Sequence, residues 1–236
     1  SIHYMSTSNN FYQNRKIIKN VFLNNYDFFI NIISKNYPLN ELLIEKHIDK
    51  WNWELIQTNK NILWSEDLIE KYKDKFDESG WEYLSLYIEI PLTEKLLDKY
   101  TDKWNWSALS SKSLSEDIIE KYKNYWNWQR LCFNKKIPWS EKLLDKYIED
   151  YISKEYFCLS ALSTSTPLPW SEHLIEKYED YWVVGGNGLE ENEDLPWSEE
   201  LIDKYNFDFE ELSLNRAVPW TIKLLDKYID VGDIMG

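Results

Sequence analysis

The side chains of this chain that could do chemistry recur at regular spacing rather than converge on one place. Glutamate fills the same slot of a repeated line at Glu41, Glu66, Glu94, Glu116, Glu141, Glu172 and Glu199. Hydrolysis by paired carboxyls needs two acids whose surroundings push their pKa values apart. Seven near-identical settings offer the opposite. His3, His47 and His173 are far apart in sequence, lack a His-Glu-x-x-His spacing and have no cysteine pair beside them, which argues against zinc. No serine is matched to a histidine in a defined pocket. The expectation is a non-enzyme with no catalytic residue, no metal and no cofactor.

Two other sets of residues invite a binding role. The 13 Trp suggest sugar stacking, yet Trp64, Trp139, Trp170, Trp197 and Trp220 share a slot with Leu39, Leu92 and Leu114. A position that takes either residue is chosen for apolar volume, which is core behaviour. Trp81 and Trp182 fit the pattern less well and are the rings expected to be exposed. The second set is Gly185-Gly186-Asn187-Gly188, which holds three of the six glycines and runs on into Glu190-Glu191. A phosphate loop would place a lysine and a helix start there. Calcium spacing is absent as well. The stretch reads as a flexible insertion or, because loops on rigid frames carry function, a partner contact.

These residues hang on a repeat that accounts for most of the chain. The line is approximately Pro-Trp-Ser-Glu-x-Leu-Ile-Glu-Lys-Tyr, followed by a charged link and Trp-Asn-Trp-x-x-Leu-Ser. It begins at Pro38, Leu63, Pro91, Ser113, Pro138, Pro169, Pro196 and Pro219; subtraction gives intervals of 25, 28, 22, 25, 31, 27 and 23 residues. Such a period is the mark of stacked helical repeats. The third position is always a helix-capping type: Asn40, Ser65, Thr93, Ser115, Ser140, Ser171, Ser198 and Thr221. The glutamate after it suits the positive end of the helix dipole, and the lysine of the acid-Lys-aromatic triplet suits the other end. Apolar pairs from Leu42–Ile44 to Leu224–Leu225 are expected to face the stack. In the second half, Asn52, Asn105, Asn127 and Asp208 read as second caps, with Leu55, Leu109, Leu131 and Leu212 facing inward one turn later. Asn14 would cap a worn first copy running to Tyr37, with Tyr26-Asp27-Phe28 copying the Trp-Asn-Trp step.

The predicted fold is therefore all-α, an α-solenoid of about eight short helix-pair repeats with a degenerate N-terminal cap. Residues 1–37 form the capping segment and residues 38–236 one continuous array. Over 38–236 the line resembles Trp-Ser-Glu-x-Leu-Ile-Glu-Lys-Tyr repeats in uncharacterised bacterial proteins; that resemblance implies architecture and no activity. The likeness to tetratricopeptide-type solenoids is one of helix-pair layout only.

Composition narrows the partners. Charged residues make up 29% of the chain and hydrophobic ones 43%, so a core is expected. The formal charge of −14 repels phosphate backbones, and direct nucleic-acid binding is not expected. No apolar run is long enough to span a bilayer, and no leader is recognisable. Cys132 and Cys158 each sit in an apolar run and read as small core residues rather than a staple, which favours the cytoplasm. The reading is a protein-binding scaffold whose acidic surface engages, and could inhibit, a basic or nucleic-acid-binding protein. A sharper form is a charge mimic of the anti-defence or anti-CRISPR type, and a third form is a carbohydrate-binding module using exposed Trp. The contact residues expected are Glu66, Glu94, Glu116, Glu141 and Glu172 as an acid ridge beside a parallel lysine ridge. Trp182, Gly185, Gly186, Asn187, Gly188, Glu190 and Glu191 join them where the repeat breaks.

Overall fold

The computed structural model describes residues 2–87, 89, 92–164, 167–205 and 207–232, with the side chains of those from 13 to 228. Pro91, where the third repeat was expected to start, lies outside the described residues, and so do Ser165, Thr166 and the final residues 233–236. Every regular element among the described residues is helical. The chain folds as two compact modules, residues 1–105 and 106–236. The first holds α1 (Ile2–Asn24), α2 (Tyr26–Asn36), α3 (Glu41–Lys46), α4 (Trp53–Ile56), α5 (Glu66–Tyr72), α6 (Glu78–Tyr87) and α7 (Glu94–Lys99). The second holds α8 (Trp106–Leu109), α9 (Glu116–Lys121), α10 (Trp128–Phe133), α11 (Glu141–Tyr147) and α12 (Tyr156–Thr164). It continues with α13 (Glu172–Lys177), α14 (Glu199–Lys204), α15 (Phe209–Leu214) and α16 (Ile222–Gly232).

Most repeat helices span two turns or less, a length that is unstable alone in water. Caps supply part of what they lack. All eight expected capping side chains accept the N–H three residues on: Asn40 from Leu43, Ser65 from Leu68, Thr93 from Leu96, Ser115 from Ile118, Ser140 from Leu143, Ser171 from Leu174, Ser198 from Leu201 and Thr221 from Leu224. Each is worth about 1 kcal/mol over alanine. Among the second caps, Asn127 and Asp208 make the same bond, whereas the Asn52 side chain does not and instead donates to Asn31 Oδ1.

Aromatic packing joins each repeat to the next. The ring that begins a second helix lies against the tyrosine that closes the following first helix: Trp53 on Tyr72, Trp81 on Tyr100, Trp106 on Tyr122, Trp128 on Tyr147 and Phe209 on Tyr228, with centroids 4.5–5.3 Å apart. The tryptophans of the Pro-Trp-Ser slot serve as volume. Trp64, Trp139 and Trp170 have indole N–H groups enclosed without a hydrogen-bond partner, which explains why leucine replaces them elsewhere.

A second coupling, not visible as a motif at first reading, is polar. A residue on most second helices accepts a backbone N–H at the next second-helix entry, and in all but the first case it follows a buried aliphatic. Ser34 accepts from Asn52 (3.2 Å), Gln57 from Asp77 (3.0 Å), Ser85 from Asn105 (3.0 Å), Ser110 from Asn127 (3.0 Å), Ser163 from Val183 (3.1 Å) and Glu190 from Asp208 (3.2 Å). Two residues further on, buried Asn59, Asn134, Asn192 and Asn215 reach back to the previous repeat. Their Nδ2 groups donate to Ser34 O, Ser110 O, Ser163 O and Glu190 O, while each Oδ1 accepts the N–H two residues ahead at 2.9 Å. An amide with donor and acceptor both engaged in the interior is costly to remove, because its orphaned partners have no water to turn to.

Several expectations need correction. Asn14 lies inside α1 and caps nothing, and Ile17 and Ile18 are exposed. Leu42 and Leu225 face outward. In the first Trp-Asn-Trp helix it is Ile56, not Leu55, that is buried, since the inward position falls three residues after the second ring. Cys132 and Cys158 are core residues, as expected, but they are also joined as a disulfide, with Cα atoms 5.2 Å apart. Cys132 occupies the place after Leu131 where other repeats carry the N–H acceptor, and the covalent link takes over the joining role. The pairing removes the thiol-based argument for a cytoplasmic setting. No helix among the described residues is long and apolar enough to cross a membrane.

Replacing Asn134 by alanine is expected to lower stability by about 2–3 kcal/mol in urea unfolding, against within about 0.5 kcal/mol for the exposed neighbour Lys135→Ala. The disulfide predicts no free thiol in denatured, unreduced protein. The Cys132→Ser/Cys158→Ala pair is expected to lose about 2–4 kcal/mol, the usual worth of such a crosslink.

Candidate functional site

The repeated acids and lysines meet each other. Lys71 pairs with Glu41 and Glu45 of the preceding repeat, Lys95 with Glu66 (2.6 Å) and Lys99 with Glu70 (2.7 Å). In the second module Lys142 pairs with Glu116, Lys146 with Glu120 (3.4 Å), and Lys177 with both Glu141 (2.8 Å) and Asp145 (2.7 Å). Lys204 with Glu176, Lys223 with Glu199 and Lys227 with Asp203 continue the series. The expected parallel ridges of one sign are thus interleaved pairs. Of the acids singled out for partner binding, Glu66, Glu116 and Glu141 are each held by a lysine of the next repeat, and Glu94 and Glu172 stand in the first turns of α7 and α13.

Tyrosine hydroxyls tighten this ladder. Tyr100 donates to Glu70, Tyr147 to Glu120 and Tyr178 to Asp145 (2.7 Å). The ammonium of Lys99, with Tyr100 and Lys73, holds the Glu70 carboxyl at about 2. The Tyr147 hydroxyl, with Lys123 and Lys146, does the same for Glu120. Burial, reinforced by Asp145, pushes the Tyr178 phenol up to about 12. These shifts arise from ion pairing repeated along the chain, not from a reactive centre.

The irregular region is built differently from the expectation. Trp182 is buried, its indole N–H donating to Ile175 O (3.1 Å), and Trp81 is buried too. Seven of the 13 Trp are buried, and Trp51, Trp53, Trp106, Trp170, Trp197 and Trp220 are half-buried. The glycine stretch is a packed turn. Gly185 and Asn187 adopt left-handed φ values of 90° and 64°, and a Cβ on Gly188 would come within 2.4 Å of Val183 O. Ser160 donates to Asn187 O, Asn187 N–H donates to Glu191, and Leu189 N–H closes on Val183 O. Glu190 is fully buried, and its Oε1 accepts from Gly185 and Asp208. Residues 189–191 thereby stand in for a missing second helix. Gly186, Asn187 and Glu191 are exposed on this turn, Gly185 is half-buried, and Gly188 and Glu190 are buried.

With the ladder neutralised in pairs, the net charge must reside elsewhere. In the first module a groove of about 850 Å³ is lined by Asp74, Asp77, Glu78, Glu82 and Asp102, with Lys73 and Lys103. Three extra residues, Glu78-Ser79-Gly80, lengthen α6 and raise this wall. Gly80 is required there, because a Cβ would meet the Gln57 side chain at 2.3 Å. The sequence signal was the 28-residue interval of that repeat, read only as spacing. A second groove, about 710 Å³, opens in the other module beside α10. No cluster of His, Cys, Asp or Glu among the described residues is arranged to hold a metal ion.

Comparison with known proteins adds no relative: no family model, no curated protein and no solved structure matches this chain.

The depressed Glu70 and Glu120 carboxyls fix a pH response. A carboxyl bound near 2 in the folded chain and near 4.5 in the unfolded one stabilises the fold above about pH 4.5, and that contribution is lost as pH falls toward 2. The melting temperature is expected to drop through this window. The Glu70→Gln/Glu120→Gln pair should be less stable at neutral pH and show a shallower acid slope.

Proposed function

We propose that this chain is a non-enzymatic scaffold that binds a basic polypeptide segment, with the groove of the first module as its contact. The observation that carries the reading is the imbalance at that groove, five carboxylates to two ammonium groups in a protein where repeat lysines such as Lys71, Lys99, Lys177 and Lys204 are matched to acids. A wall rich in carboxylates suits lysine and arginine side chains, which gain charge pairing there. Short paired helices give the groove a fixed frame. A partner that itself binds nucleic acid would present such a segment, and occupancy would then block it.

A lysine- and arginine-rich peptide titrated into the protein at about 0.05 M salt should bind, and weaken at least about tenfold as salt approaches 0.5 M. The Glu78→Lys/Glu82→Lys/Asp102→Lys variant, whose changed residues line the rim, should lose about tenfold or more with an unchanged circular dichroism spectrum. Salt-independent binding, or an unaltered variant, would sink the proposal.

A further inference from the structure

The groove beside α10 is the electrostatic reverse of the first. Its lining includes Asn127, Arg130, Phe133, Asn134, Lys135 and Lys136, three cations with no carboxylate among the lining residues. In a chain of formal charge −14 this is a local inversion. The lysines of the repeat helices nearby are paired, as Lys142 is with Glu116 and Lys146 with Glu120. No ion pair engages Arg130, Lys135 or Lys136 among the described residues, and all three are exposed. Phe133 stands 53% exposed at the same groove.

The fold does not dictate these side chains. The loop after α10 is set by Asn134, whose Nδ2 donates to Ser110 O (2.9 Å) and Lys112 O (2.7 Å) and whose Oδ1 accepts from Lys136 N (2.9 Å). The equivalent loops after Asn59, Asn192 and Asn215 make the same amide bonds but carry Lys60-Asn61, Glu193-Asp194 and Arg216-Ala217. The phenylalanine slot is Thr58, Glu191 and Leu214 in those copies. Charge and ring are therefore additions to a frame that works without them. The frame also holds them still: Asn134 pins the backbone carrying Lys135 and Lys136, and Asn127 Oδ1 fixes the backbone of Arg130.

We infer that this groove binds a nucleotide, a free nucleoside phosphate whose phosphate groups lie against Arg130, Lys135 and Lys136 and whose base stacks on Phe133. Arginine and lysine are the usual phosphate partners. An aromatic face accepts any base by stacking. The volume falls within the ordinary range for small-molecule sites, roughly 300–1,000 Å³. A free nucleotide carries few charges, whereas a polyanion would meet the repulsion of the whole acidic chain.

Calorimetric titration of the intact protein with ADP at low salt tests this. Saturable one-to-one binding is expected, at least about tenfold weaker in Lys135→Glu/Lys136→Glu and in Phe133→Ala. Pyrophosphate and adenosine, each offering half of the ligand, should both bind more weakly than ADP. Arg216→Glu, on the equivalent loop of another repeat, serves as a control and should bind ADP as the parent does. Matching melting temperatures would exclude unfolding as the cause of any loss. Absence of saturable ADP binding, pyrophosphate binding as tightly as ADP, insensitivity to Lys135→Glu/Lys136→Glu, or tighter binding of a short oligothymidylate would each overturn the assignment.

Discussion

Helices of six or seven residues cannot hold themselves together, and everything else in this protein answers that shortage. Nucleating a turn fixes several backbone dihedrals for one hydrogen bond, so a two-turn helix recovers little of what it loses. The missing free energy comes from neighbours by three routes: a ring laid on the next tyrosine, a lysine paired with the previous repeat's acid, and an amide or hydroxyl bonded to the neighbour's backbone. The last is the most demanding. Its partners are buried backbone groups that have no alternative once a side chain is removed.

How much of this could be read from sequence depended on whether a residue's role was local. Capping Ser65 or Ser140 acts within its own helix, and the type alone identifies it. Ring volume in the Pro-Trp-Ser slot was legible because leucine substitutes there. Contacts between repeats were harder. Glu and Lys at fixed positions looked like helix-end complements, and their pairing across copies appears only when the copies are set side by side. Asn59, Asn134, Asn192 and Asn215 share a recurring place five residues before the Trp of the next entry, yet an asparagine in a loop ordinarily reads as turn chemistry. Trp81 looks misplaced because Glu78-Ser79-Gly80 shifts it along the chain, and Trp182 because Val184 replaces the second ring of its step; in space Trp81 packs on Tyr100 and Trp182 donates to Ile175 O.

The two grooves show how a repetitive frame acquires local character. Exposed ion pairs contribute little each and leave almost no net field when interleaved. Against that quiet background a few unmatched charges dominate their surroundings. An inserted Glu78-Ser79-Gly80 creates a negative wall in one module, and two consecutive lysines with an arginine create a positive one in the other. In both, the charged side chains are on the solvent side, as Glu78, Glu82, Arg130, Lys135 and Lys136 are exposed.

The asparagine joint also bears on how such a chain can change over generations. Asn134 touches only main-chain carbonyls of the repeat before it, and main chain is the one thing every repeat has in common. A joint of that kind does not inspect the side chains of its neighbour. Copies can be duplicated, lost or exchanged in the gene without redesigning the seam, and loop residues are free to drift from Lys135-Lys136 to Glu193-Asp194. The protein is thereby a set of interchangeable holders in which ligand preference can be rewritten one loop at a time.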